Sequence, residues 1–214
     1  GFNKDFQDFL FLRSAAAGHA RAWIREILNP NFLPGVANST SQNVLRFNAQ
    51  FKALRAEGIE PETVITSGWT HLAISFRGFK ALGIKNRDLA RFPDAFRDGM
   101  AKRRHKLGDL GANDPNHWPS PYQPGSIHAL LIVAADNEAQ LNTRVTNLIT
   151  SEKFRSGVRE IGRENGRTRQ DERGHEHFGF KDGVSQPGIR GVTQPTDPLG
   201  NPHCGQPGQN LLWP

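Results

Sequence analysis

Asp182 is the carboxylate in this sequence best placed for acid–base work. It lies in the run Glu176-His177-Phe178-Gly179-Phe180-Lys181-Asp182-Gly183-Val184-Ser185-Gln186-Pro187, where two glycines bracket a Phe-Lys-Asp triplet and a proline closes the string. Glycine and proline at those places favour a shaped loop over regular helix or strand. By itself Asp182-Gly183 reads as an ordinary turn dipeptide. Held in a fixed loop, the same carboxylate can accept and return a proton, an effect of about 10²–10⁴-fold on a proton-transfer step. With a reference pKa of about 3.9 it is ionised at mildly acidic pH, where a histidine near 6.5 is largely protonated. Base chemistry at Asp182 therefore favours acid.

Histidines offer a second kind of chemistry. His175 and His177 form a His-x-His pair that can chelate a metal on a strand, and His203-Cys204 is another donor pair in a Gly/Pro-rich stretch. Neither has a third ligand nearby in the sequence. The first pair is read as surface or hydrogen-bonded histidines, the second as part of a connector, and no metal ligand is assigned.

The complete string Glu-His-Phe-Gly-Phe-x-Asp-Gly-x-Ser-Gln-Pro resembles the Gly-x-x-Asp-Gly signature of the dye-decolourising peroxidases, a family of haem b enzymes. Other stretches are similar to that family's first half: Phe9-Leu10-Phe11-Leu12-Arg13, Arg77-Gly78-Phe79-Lys80-Ala81-Leu82-Gly83, Phe92 to Met100, and His117-Trp118. The resemblance implies an oxidoreductase that uses hydrogen peroxide to oxidise dyes or phenolic donors. It makes Asp182 the distal acid–base residue, which takes a proton from the peroxide oxygen nearest the iron and returns it to the far oxygen. It also implies that Phe180, Lys181, Asp182, Gly183, Val184, Ser185 and Gln186 line the haem. In those roles Phe180 packs on the porphyrin edge, Gly183 lets the backbone approach, and Lys181, Ser185 and Gln186 meet the propionates.

The elements that must position this loop are legible in the apolar spacing. Asp8 to Arg13 reads as a strand buried on both faces, and Ser14 as the cap of a helix whose stripe is Ala20, Trp23, Ile24, Ile27 and Leu28. Val44, Phe47, Phe51 and Leu54 predict a second helix to about Ala56. His71 to Phe76 alternates as a strand with Leu72, Ile74 and Phe76 on one face. A single helical turn follows at Phe79–Leu82, and then a helix from about Phe92-Pro93 that carries Phe96 and Met100 inward. Glycine, asparagine and proline crowd residues 108–125 into an irregular loop. Ile127 to Ala134 is the clearest strand, Leu141, Val145 and Leu148 make a helical stripe, and a weaker strand lies within Val158 to Arg163.

That order is the order of a ferredoxin-like α+β sandwich, helices covering an antiparallel sheet. The expected layout is a ferredoxin-like domain over 1–165, the distal loop over 166–190, and a Gly/Pro-rich connector over 191–214. The resemblance makes this the first of two such halves. It places the iron-ligating histidine and a distal arginine in the second half, beyond Pro214, so the chain is expected to be an N-terminal fragment.

Composition limits the other readings. At 214 residues a sizeable core is possible, with roughly 70% of the unfolded surface buried. No apolar run approaches the roughly 20 residues that span a bilayer. One cysteine, Cys204, excludes an intrachain disulfide and a cysteine-based zinc finger. No charged-then-apolar leader is visible, so a cytoplasmic location is expected. The net charge of +6 gathers partly in Lys102-Arg103-Arg104-His105-Lys106, read as the solvated face of a helix because no aromatic residues interleave for nucleic-acid stacking. Trp69, Trp118 and Tyr122 are possible carriers of oxidising equivalents, with ordinary packing the plainer role. The partners expected are hydrogen peroxide, an aromatic electron donor and the second half, with a homo-oligomer possible. The rival from another class is a non-enzymatic ferredoxin-like binding or assembly module related to the peroxidases.

Overall fold

Three alternate residues in the middle of the first strand are sealed from water. Asp8, Leu10 and Leu12 are buried, while Phe9 and Phe11 between them are half-buried. The expectation of a strand buried on both faces is thereby corrected to one closed face and one partly covered face. In this computed structural model, which describes residues 4–29, 31, 39–172 and 174–181, the elements run β1 (Phe6–Ser14), α1 (Ala17–Ile27), α2 (Ser41–Ala56), β2 (Gly68–Ile74), α3 (Phe76–Ala81), α4 (Asn86–Leu89), α5 (Asp94–Lys102), α6 (Arg104–Leu107), β3 (Ala129–Ala135), α7 (Glu138–Ile149), α8 (Glu152–Gly157) and β4 (Val158–Arg167). The sheet order is β2-β3-β1-β4 with every pair antiparallel. This is the ferredoxin-like arrangement that the element order predicts. The chain divides into two units, Phe2–Arg167 and Thr168–Pro214 with Gly1.

The closed face of the sheet is built by register. Leu10 lies opposite Leu131 and Leu131 opposite Leu72, so three strands present leucine in one row. Onto that row α1 lowers Trp23 and Ile27, α7 lowers Leu141, Val145 and Leu148, and α8 adds Phe154, edge-on to Trp23. Each such side chain contributes about 1.5–3 kcal/mol when fully buried. Leu28, expected on the α1 stripe, is 54% exposed, because the helix ends at Ile27 and Leu28 caps it. Ser14 does not cap α1; it stays in β1, and Ala16 occupies the cap position without a side-chain bond.

Trp69 faces the other side of β2 and packs edge-on against Phe47 of α2. The ammonium of the buried Lys4 lies 4.8 Å from the Phe47 ring centre and pairs with Asp136, which also accepts the Ser67 amide at 2.9 Å. A buried cation thus has both a carboxylate and an aromatic face. At the far edge of the sheet, buried Asp8 accepts from Arg163 at 3.2 Å and from Asn165 at 2.6 Å.

Two inward assignments change. β2 stops at Ile74 because Ser75 turns the chain: its amide donates to the His128 carbonyl at 3.0 Å, and its hydroxyl accepts from the Gly78 amide at 3.0 Å, capping α3. Phe76 therefore leaves the strand and joins Phe79, Phe92 and Phe96 in an aromatic cluster, with Phe79 stacked on Phe92 at 5.0 Å. Met100 is 60% exposed, since Gly99, at φ 67°, breaks α5 one residue before it. In the basic run Lys102 pairs with Asp98 and Arg104 with Asp114 on the surface. Among the described residues no helix is long and apolar enough to cross a membrane.

Two histidines of this domain hold their protons weakly. Burial lowers the pKa of His71; burial first, and then the nearby charges of Arg13 and Arg77, lower that of His128, whose Nδ1 accepts the Ser14 amide at 3.2 Å. Below about 6.5 the unfolded chain takes up protons that the folded chain still refuses. Stability is therefore full above that pH, falls as pH drops below it, and levels once the folded histidines also titrate. Thermal midpoints measured between neutral pH and about pH 5 are expected to decline, and less so in His128→Gln. A midpoint that holds or rises over that interval contradicts the assignment.

Candidate functional site

The loop singled out in the sequence is entered through an ion-pair knot. Arg169 donates to Asp171 at 3.2 and 2.5 Å and pairs with Glu172 at 3.0 Å. The bond from Arg169 is the main reason that the Asp171 carboxyl is held down at about 2. Gly174, at φ 80°, then reverses the chain in a conformation that suits glycine.

From there the backbone closes on itself. His175 forms an antiparallel bridge with Lys181, the Glu176 amide donates to the Phe180 carbonyl at 2.7 Å, and the Gly179 amide donates to the Glu176 carbonyl at 2.8 Å. Gly179 takes φ 89°, with open space where a side chain would sit, so its backbone angle, not crowding, calls for glycine. The turn leaves Phe178 87% and Phe180 76% exposed. Two bare aromatic rings and a lysine are thus presented by seven residues tied by backbone hydrogen bonds.

Of the predicted haem-lining residues, Phe180 and Lys181 belong to this turn, both exposed. Asp182, Gly183, Val184, Ser185 and Gln186 lie outside the described residues, as do His203 and Cys204. His175 Nδ1 is buried without a hydrogen bond among the described residues, and His177 is exposed. No group of three or more potential metal-binding side chains occurs among the described residues. The three candidate carriers are held by packing and hydrogen bonds: Trp69 against Phe47, Trp118 donating to the Asn113 carbonyl at 3.0 Å, and Tyr122 edge-on to Phe11 while donating to Glu164 at 2.6 Å. The sequence reading passed over the Arg169 knot, although the signal was there in the alternating charges of Arg169, Asp171 and Glu172.

A flat, apolar macrocycle with acidic substituents needs exposed rings, an accessible backbone and a cation. Phe178, Phe180, Gly179 and Lys181 supply these, so the described part of the loop fits a haem edge.

Residues 1–170 match the family model described as the DyP dimeric alpha+beta barrel domain. The chain belongs to the dye-decolourising peroxidase family. It is 31% identical over 173 residues to dye-decolorizing peroxidase msp1 of Mycetinis scorodonius, a match covering 80% of this chain and 30% of that protein. With the dye-decolorizing peroxidase of Mycena epipterygia it shares 33% over 124 residues, 58% of this chain and 22% of the other. The match thus spans less than a third of these curated relatives. Among solved structures, a DyP-type peroxidase of Anabaena superposes with a TM-score of 0.69 at 25% identity, covering 87% of this chain and 37% of that one. A variant of the Pleurotus ostreatus dye-decolorizing peroxidase gives 0.73 at 22% identity, covering 97% and 42%, and supports the fold alone. A dye-decolorizing peroxidase solved in complex with 2,6-dimethoxyphenol gives 0.67 at 25% identity, covering 94% of this chain and 40% of that one.

Proposed function

We propose that this chain forms the distal wall of a haem peroxidase that oxidises phenolic or dye-like donors with hydrogen peroxide, with Asp182 as its acid–base residue. The observation that carries the proposal is the closed turn from His175 to Lys181, which ends one residue before that carboxylate and exposes two aromatic rings. Bound haem b supplies the iron at which peroxide is reduced and from which the donor is oxidised.

The chain's own residues then do three things. Phe180 would pack against the macrocycle edge, Val184 would add apolar surface, and Gly183, having no side chain, would admit a close approach. Lys181, Ser185 and Gln186 orient its carboxylates through charge and hydrogen bonds. Asp182 accepts a proton from hydrogen peroxide and returns it to the departing oxygen, which leaves as water.

The test is turnover by the whole peroxidase. Haem-loaded protein supplied with hydrogen peroxide and 2,6-dimethoxyphenol is expected to oxidise the phenol, fastest at acidic pH. Stoichiometric haem binding without turnover at any pH would remove the enzymatic reading and leave the binding-module reading standing.

A further inference from the structure

Arg13 at the end of β1 and Arg159 at the start of β4 are register partners, directly across an antiparallel pair. Directly opposed residues project to the same face, so the two arginine side chains leave the sheet as neighbours, and like charges directly opposite are destabilising. Neither forms an ion pair or side-chain hydrogen bond among the described residues. Arg13, together with Arg77, adds to the positive field that opposes protonation of His128.

The two arginines line a cleft of about 440 Å³. That volume is in the range of small-molecule sites and much larger than a water or a bare oxyanion requires. Ser120 and Ser126 add hydroxyls to its wall, and Pro121 and Ile161 add apolar surface. The remaining lining group, Glu160, has its charge spent: Arg163 grips both its oxygens, at 2.9 and 2.8 Å.

The loop that forms one wall is fastened to the sheet. Tyr122 donates to Glu164 of β4, and Pro121 lies so close over Gly162 that a Cβ there would meet Pro121 Cγ at 2.5 Å. The loop wall that carries the hydroxyls and apolar surface is therefore held by contacts within the domain, and the sheet register sets the two arginines beside it.

We propose that this cleft binds a phosphate monoester with a small apolar body, Arg13 and Arg159 bracketing the phosphate and Pro121 and Ile161 covering the organic group. Two cations match a group that carries about −1.5 to −2 charge at neutral pH, and planar guanidinium forks suit phosphate oxygens. The site is independent of the peroxidase reading, because it uses no residue of the haem loop.

Calorimetric titration of the protein with phenyl phosphate at constant ionic strength is expected to saturate, with inorganic phosphate about tenfold weaker for want of the apolar body. Arg13→Gln and Arg159→Gln should each weaken phenyl phosphate about 10- to 100-fold, the usual effect of a lost charge-assisted bond. Without ligand both variants should melt no lower than the parent, since each relieves a like-charge pair. Arg104→Gln, in the basic run, should leave binding unchanged. The proposal is overturned by an unsaturable titration, by inorganic phosphate binding as tightly as the ester, by loss of binding in Arg104→Gln, or by unchanged binding in either cleft variant. Melting of a cleft variant well below the parent also overturns it, because the arginine would then be serving the fold.

Discussion

Asp182→Asn and Asp182→Ala in the whole haem-loaded peroxidase are expected to lower turnover about 100- to 10,000-fold at mildly acidic pH while the Soret band persists. Asparagine keeps the shape of the side chain but has no carboxylate to accept the proton, so the chemical step loses about 3–5 kcal/mol of barrier lowering. The acid preference should weaken with it, because that preference comes from a base still ionised where histidines are not. Glu176 is the neighbouring carboxylate, and its backbone amide closes the turn on Phe180. Glu176→Gln leaves that amide in place and should retain turnover. If Glu176→Gln abolishes turnover and Asp182→Asn does not, the proton work belongs to the other carboxylate. A thermal melt must accompany each rate, since neutral His71 and His128 make the domain less stable in acid.

The parts of this molecule visible in its sequence are those set by local period. Leu141, Val145 and Leu148 announce α7 and all three are buried; Trp23 and Ile27 announce α1 in the same way. Strand order followed from the alternation of elements and from the short list of ways to close such a sandwich. What the spacing misread was decided by single bonds or single glycines. Phe76 continues the alternation of β2 in sequence, yet the Ser75 cap takes it into α3. Met100 continues the stripe of α5, yet Gly99 interrupts the helix before it. In the loop before Asp182, Gly179 and Gly183 predicted a shaped backbone; Gly179 takes a positive φ as such a loop needs, while Gly183 lies outside the described residues, and Gly174, also at positive φ, was not singled out in the sequence. The Arg13–Arg159 pair was invisible because it joins residues at opposite ends of the domain, and only register brings them together.

Gly78→Ala is expected to be the most damaging small substitution in the folded domain, at about 3 kcal/mol or more. A Cβ at this buried glycine would lie 2.0 Å from the His128 carbonyl oxygen and 2.9 Å from Ile74 Cγ2. The first obstacle is backbone, so no rotamer change clears it. Nor can α3 back away freely: Ser75, three residues earlier, donates its amide to the same His128 carbonyl and its hydroxyl to the Ile127 carbonyl at 2.8 Å, while capping the Gly78 amide. Retreat would add a lost cap, about 1 kcal/mol, to the overpacking cost. Two other glycines separate crowding from backbone conformation. Gly58 has open space but φ 75°, so Gly58→Ala should cost about 1 kcal/mol through strain alone. Gly18, in the first turn of α1, has open space and no positive φ, so Gly18→Ala should stabilise by a few tenths to about 1 kcal/mol. Urea midpoints of the three variants should therefore rank Gly18→Ala above the parent, Gly58→Ala below it and Gly78→Ala far below. If Gly78→Ala unfolds within about 1 kcal/mol of the parent, the loop before β3 yields easily and the junction of β2, α3 and β3 is not the rigid corner its hydrogen bonds imply.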